Sequence, residues 1–234
     1  HNKPLFTVVF NKKSWLSWQV DIGTHNCPST NCVSKTAMDF GTDGSAFVTA
    51  IPPYPQLPKK TNPNQRIAMI NIESRKNHPK MWQPSEIQGV DLYMSHTNPR
   101  FDGVEWSHLT YHNIAPEGYR IPPKPFKEKR HAVAVFISNC GNAERNTIFE
   151  LLNTSGIPIH SFGGCRKTDD YKVAVPQCAQ MKSRSPQWDS IKECVIREYA
   201  FTLSLENTFG ENNYVTEKLW QPLKMGSVPI YKGA

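Results

Sequence analysis

The second half of the chain alternates short apolar runs with amphipathic stretches, and this alternation constrains the fold more than any other feature. Apolar runs typical of buried strands lie at 131–138, 157–162, 200–205 and 227–231. Amphipathic stretches at 143–155 and 190–199 predict helices between them, and a further helix is expected to end before Gly226. Such strand–helix alternation predicts an α/β fold in which a parallel sheet has helices on both faces.

The first half is predicted to consist of short strands between long loops. Apolar runs at 5–10, 67–72 and 90–95 are bounded by polar turn residues, whereas 51–65 is rich in Pro, Asn and Lys and is typical of a loop. The segment 116–130 combines prolines with basic residues and predicts a linker. We therefore expect two domains, at 1–125 and 126–234.

Pro222 is awkward for the last predicted helix because a proline has no N–H to donate in a helix interior. Either the helix begins at Thr216 and kinks, or it begins at Gln221 with Pro222 at its first position. The residues alone favour neither alternative.

The charge of the chain indicates an anionic small-molecule ligand more than a nucleic acid. The formal net charge is +7, but the Lys and Arg residues are scattered and no basic run reaches five. A nucleic-acid binder would be expected to cluster them. A nucleotide diphosphate is the kind of ligand that a mildly basic site suits. No stretch reaches the roughly 20 apolar residues of a membrane span, and no signal peptide is visible.

The cysteines and one sequon are compatible with the secretory pathway. Six cysteines can form three disulfides in 15 different connectivities. The residues suggest only one pair, Cys27 with Cys32, because both lie in one short polar loop. A zinc site is disfavoured because no second close pair completes four ligands. The triplet that begins at Asn153 is a candidate glycosylation site.

The segment 205–234 carries the residue types that a sugar nucleotide needs. Ligands of open parallel sheets bind at the carboxyl ends of the strands, where this segment begins. A carboxylate there can accept from ribose hydroxyls, a lysine can neutralise a diphosphate, and a tyrosine can cover a base or sugar face. The candidates are Glu206, Asn207, Tyr214, Glu217 and Lys218. The alternative is an ordinary helix N-terminus with an exposed Glu–Lys pair.

This segment resembles the donor-binding signature of the α-1,3/1,4-fucosyltransferase family. The matching residues are Glu206-Asn207, then Tyr214-Val215-Thr216-Glu217-Lys218, then Gly226-Ser227-Val228-Pro229. Leu205 stands where the family usually has Phe. Upstream, Ser138-Asn139-Cys140, Arg145 and Gly163-Gly164-Cys165 are similar to another stretch of the family, in which Arg145 would touch the donor diphosphate. Without the family, Arg145 is equally well interpreted as a solvated residue on a helix face.

In the first half, Ile72-Glu73-Ser74 resembles the family's Met-Glu-Ser, whose glutamate is the proposed catalytic base. Arg75 replaces the proline of many members. The run 91–95 resembles a strand of the family's acceptor domain. The alternative for Glu73 is an ordinary surface pair with Arg75 or Lys76.

The resemblance implies a GT-B type fold, with two Rossmann-like domains that face each other across a cleft and a second domain that continues beyond Ala234. It implies transfer of L-fucose from GDP-fucose to a GlcNAc hydroxyl of an oligosaccharide or N-glycan, most simply in α-1,3 linkage, with inversion. Glu73 would be the base, and Arg145, Asn207, Tyr214, Glu217 and Lys218 would bind GDP-fucose. No metal is expected to be essential for the reaction, although a divalent ion could increase its rate. No nucleic-acid partner is expected.

The parent would lie in the Golgi lumen as a single-pass type II membrane protein, with an N-terminal anchor outside this chain. Two alternatives are a transferase of the same fold that uses another nucleotide sugar and a non-catalytic glycan-binding member.

Overall fold

The computed structural model describes residues 5–12, 22–27, 30–41, 44–51, 57–83, 87–97, 104–105, 122–180 and 187–234. The chain divides into two compact units, His1–Trp106 and Ser107–Ala234. This division groups 107–125 with the second unit, whereas the sequence predicts a boundary at 125/126, which stays a prediction. Of the predicted linker, 116–121 lies outside the described residues, and Phe126–Glu128 forms a 3-10 turn.

The first unit is built on a seven-stranded sheet in the order β2-β3-β1-β4-β5-β6-β7. Its strands are β1 (Leu5–Asn11), β2 (Gly23–Asn26), β3 (Asn31–Ala37), β4 (Ala46–Ile51), β5 (Arg66–Asn71), β6 (Leu92–Ser95) and β7 (Val104–Glu105). The β2–β3 pair is antiparallel, and the other neighbouring pairs are parallel. Val9, Phe47, Ile67, Met69 and Tyr93 form the centre of its core. The predicted strands at 5–10, 67–72 and 90–95 are found with shifted ends.

The second unit is a four-stranded, fully parallel sheet in the order β11-β10-β8-β9. Its strands are β8 (Arg130–Val135), β9 (Ile159–Ser161), β10 (Tyr199–Leu205) and β11 (Val228–Lys232). Its α-helices, among the described residues, are α1 (Ala143–Asn153), α2 (Tyr171–Ala174), α3 (Gln187–Arg197) and α4 (Glu217–Lys224). The predicted alternation of strands and helices is confirmed, with ends that differ by a few residues.

Successive residues of β8 point to opposite faces of the sheet, and each face is covered by a helix. Ala134 packs with Ile191 and Val195 of α3, whereas Val133 packs with Phe149 of α1. Helices on both faces explain why the β8 residues 132–135 are apolar without interruption.

Helix α4 begins at Glu217 with Thr216 as its N-cap, and Pro222 lies inside it. The alternative start at Gln221 is therefore wrong. The side-chain oxygen of Thr216 accepts from the N–H of Lys218, which satisfies a donor that the first helical turn leaves without a partner. A local cap thus fixes the start of the helix five residues before the proline.

The six cysteines form three disulfides: Cys27–Cys32, Cys140–Cys165 and Cys178–Cys194. The predicted Cys27–Cys32 pair is confirmed. Cys140–Cys165 joins the segment after β8 to the segment after β9. The close approach of these segments requires glycine at position 163, where a Cβ atom would lie 2.1 Å from the carbonyl oxygen of Ile137.

Lys129 lies in the segment 116–130 that the sequence predicts to be a linker. In the structure it is buried and joins the ends of two helices. Its Nζ donates to the carbonyl oxygen of Arg197 at 2.7 Å and to that of Met225 at 3.0 Å. Arg197 ends α3 and Met225 is the C-cap of α4. One ammonium therefore satisfies carbonyls at the negative ends of both helix dipoles.

Asn153 is exposed as the last residue of α1, so its side chain is accessible. In the part of the chain that the structure describes, no helix has the length and apolar character that a membrane span requires.

Candidate functional site

The segments that follow β8 and β10 meet at one edge of the second sheet. The two strands are parallel neighbours, so their carboxyl ends lie side by side. A cavity of about 230 Å³ opens there. Its lining residues are Phe136, Ser138, Asn139, Arg145, Lys192, Asn207, Glu217 and Lys218. Four of the five predicted donor-binding residues therefore line one cavity.

Arg145 connects the two segments. Its Nη1 donates to Oδ1 of Asn207 at 2.7 Å, and its Nη2 donates to the carbonyl oxygen of Asn139. Asn142 caps α1 by accepting from the N–H of Arg145 at 2.9 Å, and it donates to the carbonyl oxygen of Asn207 at 2.6 Å. Sequence analysis did not select Asn142, although an Asn three residues before Arg145, at the start of a predicted helix, is a recognisable cap.

The guanidinium of Arg145 is buried rather than solvated, since the residue is only 3% exposed. The alternative of a solvated helix-face arginine is therefore wrong. Burial lowers the pKa of Arg145, and the nearby Glu206 acts in the opposite direction. Its Nε has no hydrogen-bond partner among the described residues. An unpaired buried donor is costly unless a ligand binds it.

Both carboxylate oxygens of Glu206 accept hydrogen bonds from within the protein. Oε1 accepts from the backbone N–H of Thr216, and Oε2 accepts from the Thr216 hydroxyl, each at 2.7 Å. Glu206 is fully buried, and burial raises the pKa of its carboxyl against the opposing effects of Lys218 and Thr216. Its position at the end of β10 anchors the start of α4.

Lys218 and Glu217 are not an exposed surface pair, since their side chains are 19% and 18% exposed. Lys218 Nζ lies 3.1 Å from Glu217 Oε1 and 3.7 Å from Glu206 Oε2. It also donates to the Thr216 hydroxyl at 3.1 Å. Burial alone would lower the pKa of Lys218, but the two carboxylates outweigh burial and raise it. Lys218 is therefore an ammonium ion at the cavity wall.

Lys192 lines the same cavity and was not predicted from sequence. It lies on α3, is 8% exposed, and its Nζ is 3.6 Å from Glu217 Oε1. A lysine on an amphipathic helix usually faces solvent, so the sequence pattern gave no reason to select it.

Tyr214 is the one predicted donor-binding residue that does not line the cavity. It is 2% exposed, and it lies close enough to Arg145 to affect the pKa of that side chain. Its predicted contact with a base or sugar stays a prediction.

Glu73 lies in the first unit, two residues beyond the carboxyl end of β5, as the sequence predicts. Its backbone N–H donates to Oδ1 of Asn71 at 3.1 Å. Its side chain is 30% exposed, and Oε2 lies 3.5 Å from Nε2 of His78. Asn71 is fixed in turn because its Nδ2 donates to the Tyr93 hydroxyl at 2.8 Å. The carboxylate is thus accessible on an anchored turn.

Among the described residues, no group of three or more His, Cys, Asp or Glu side chains is arranged to hold a metal ion.

Comparison with known proteins identifies relatives of both units. Residues 126–234 match the family described as "Glycosyltransferase family 10 (fucosyltransferase) C-term". The chain is 30% identical over 212 residues to "GDP-fucose protein O-fucosyltransferase 3" of Xenopus tropicalis, an alignment that covers 86% of this chain and 41% of the frog protein. It is 25% identical over 252 residues to "Alpha-(1,3)-fucosyltransferase B" of Drosophila melanogaster, covering 100% of this chain and 52% of the fly protein. This chain therefore spans about two fifths to one half of these curated relatives.

A solved structure described as alpha1,3-fucosyltransferase with GDP-fucose is similar in fold. The TM-score is 0.60 at 15% identity, and the match covers 100% of this chain and 70% of that chain. At this identity the similarity concerns the fold alone. The predicted α/β fold of GT-B type is confirmed.

Proposed function

We propose that this chain binds GDP-fucose in the cavity of its second unit and is part of a fucosyltransferase, which the match of residues 126–234 to glycosyltransferase family 10 supports. The observation that carries the proposal is the placement of Arg145, Asn207, Glu217 and Lys218 around one cavity. Two of them are cations held in place by hydrogen bonds, as a diphosphate site requires.

The proposed reaction is a single displacement with inversion. An acceptor oxygen attacks the anomeric carbon of fucose, its proton goes to a carboxylate base, and the bond to the β-phosphate breaks so that GDP leaves with the electron pair. Arg145 and Lys218 would stabilise the negative charge that grows on the leaving diphosphate. The unpaired Nε of Arg145 supports a phosphate contact, since a buried donor without a partner is costly. With fixed cations in place, the proposed reaction does not depend on a divalent metal.

Glu73 is the proposed base. A glutamate that takes the acceptor proton must be ionised and accessible. Its position after β5, its partial exposure and the anchored backbone of its turn support that role.

The proposed acceptor is a GlcNAc hydroxyl of an oligosaccharide or N-glycan, fucosylated in α-1,3 linkage. A hydroxyl of a protein side chain is a second candidate, which the similarity to the frog protein O-fucosyltransferase favours. Both acceptors present a hydroxyl to the same carbon, so the donor site is compatible with either.

A secretory-pathway location is also proposed, with the Golgi lumen as the specific compartment. The three disulfides support an oxidising compartment.

The experiment is a nucleotide-release assay of the full chain with a panel of nucleotide sugars, followed by titration calorimetry with GDP and UDP. Release from GDP-fucose above all other donors, together with tighter binding of GDP than of UDP, is expected. Equal or reversed affinities would remove the guanine assignment and favour another nucleotide sugar. GDP binding without release, with glycan and peptide acceptors both supplied, would favour a non-catalytic member.

A further inference from the structure

Lys192 is a nearly buried lysine on the helix that faces the start of α4. Its Nζ lies 6.0 Å from the centre of the Phe136 ring, and both residues line the donor cavity. Its helical neighbours Ile191 and Ile196 are fully buried in the sheet core. The backbone of Lys192 is therefore fixed, and the ammonium reaches the cavity wall from a rigid helix.

One oxygen of Glu217 lies between two ammonium groups. Glu217 Oε1 is 3.6 Å from Lys192 Nζ and 3.1 Å from Lys218 Nζ. The side chains of Lys192 and Lys218 are 10% and 19% exposed. Both lysines thus share the carboxylate of Glu217, while Lys218 has a second carboxylate neighbour in Glu206 at 3.7 Å. Arg145 adds a third cation to the same cavity.

We infer that Lys192 is a third phosphate-binding cation of the donor site, and that Glu217 serves as its counter-ion until the diphosphate arrives. The inference rests on the proposed function. In this arrangement Arg145, Lys192 and Lys218 bind the diphosphate together. The two lysines exchange their contacts with the Glu217 carboxylate for contacts with the phosphates when the ligand binds.

The charges of the cavity favour this assignment over a purely structural ion pair. The three cations and one carboxylate of the lining carry a net charge of +2, which falls to +1 when Glu206, 3.7 Å from Lys218, is also counted as ionised. A terminal phosphate alone carries about −1.5 to −2 charges at pH 7. Burying an ammonium is costly unless it is paired, so a lysine needed only for packing would be better replaced by an apolar residue. An anion in the cavity would pair every cation.

The test is titration calorimetry of Lys192→Met with GDP, GMP and guanosine. Methionine keeps much of the apolar stem and removes the charge. We expect GDP affinity to fall about tenfold or more, the size of a lost charged hydrogen bond, while guanosine affinity stays within about twofold. Lys192→Arg should retain most of the GDP affinity, and Lys192→Gln should lose it.

Lys224→Met is the matched control. Lys224 also joins α4 to α3, through Glu193 at 2.9 Å, but it does not line the cavity. The Lys224→Met variant also removes one lysine charge from this pair of helices. Because Lys224 does not line the cavity, the GDP affinity should stay within about twofold of the parent.

The outcomes separate the inference from the function on which it depends. A parent chain that does not bind GDP contradicts both. A parent that binds GDP, with Lys192→Met equally tight, contradicts the role of Lys192 alone. Equal losses for GDP and guanosine would mean that Lys192 supports the fold of the site, and would also overturn the inference. If Lys192→Met does not fold, the comparison of Lys192→Arg with Lys192→Gln decides, since both retain polar side chains.

Discussion

Glu206 accepts both the backbone N–H and the hydroxyl of Thr216, each at 2.7 Å. The carboxylate at the end of β10 therefore holds the residue that caps α4. Lys218 lies in the first turn of that helix, so the direction of its ammonium depends on this pair of residues. A buried carboxyl that does not line the cavity thus helps to build the cavity wall.

Glu206→Gln should flatten the pH dependence of stability. The folded-state pKa of Glu206 is raised above its ordinary value of 4.5 by burial. Its own contribution to stability is then fully present below its unfolded pKa and is lost as pH rises through the folded pKa. Urea unfolding of both proteins from about pH 4 to 8 should show a smaller decline for the variant above pH 4.5. Parallel stability curves would show that Glu206 titrates as it does in the unfolded chain.

Lys218→Ala should weaken GDP much more than guanosine. The variant removes an ammonium whose raised pKa keeps it charged near neutral pH. Loss of a charged hydrogen bond costs about 1.5–3 kcal/mol, which corresponds to roughly ten- to a hundredfold in affinity. Calorimetry with both ligands measures the difference, and Lys224→Ala on the same helix is the control. Equal weakening of both ligands would assign Lys218 to the structure of α4 instead.

Lys129→Met should destabilise the second unit. The lysine satisfies carbonyls at the ends of α3 and α4, and burial lowers its pKa despite the nearby Glu198. Leaving these acceptors without a partner should cost about 2 kcal/mol of the free energy of unfolding, measured by chemical denaturation.

Lys127→Met removes an exposed lysine of the same segment and should change the free energy of unfolding by less than about 0.5 kcal/mol. Equal stability of the Lys127 and Lys129 variants would contradict the capping role.

The sequence could predict features that depend on local order. Uninterrupted apolar runs located the strands of the second unit, because successive β8 residues face two buried sides of the sheet. Amphipathic periodicity located α1 and α3, whereas the short helix α2 was not predicted. The placement of Arg145 with Lys218 was expected only from the resemblance to the fucosyltransferase family. The structure supplies the physical reason, since β8 and β10 are parallel neighbours and the segments after them converge.

Features set by tertiary packing could not be predicted. Lysines such as Lys129 and Lys192 are normally exposed. Lys129 is buried where the ends of α3 and α4 approach each other, and Lys192 is buried where α3 lines the cavity. Cys140–Cys165 was one of several possible pairings, because the proximity of the segments after β8 and β9 is a property of the folded sheet.

Replacing Cys140 and Cys165 by Ala should lower both stability and GDP affinity. A disulfide with a sequence separation of 25 is expected to contribute about 3–4 kcal/mol by restricting the unfolded chain. Asn139, adjacent to Cys140, also provides the carbonyl oxygen that accepts from Arg145. Denaturation and GDP titration measure the two effects. The Cys27/Cys32 double alanine variant, altered in the first unit, should leave GDP affinity unchanged; an equal loss there would assign the effect to global instability.

Glu73→Gln should abolish turnover and spare GDP binding. Glutamine keeps the size of the side chain but does not take a proton at neutral pH, and removal of a general base typically costs about 10²–10⁴-fold in rate. The proposed GDP contacts are all in the second unit, so the GDP affinity of the variant should stay within about twofold. His78→Gln is the matched control, because it removes the imidazole 3.5 Å from Glu73 and keeps the carboxylate. Turnover and GDP affinity are measured on the same preparations. Retained turnover in Glu73→Gln would exclude the base role, whereas joint loss of turnover and GDP binding would indicate misfolding, since a proton acceptor alone does not hold the nucleotide.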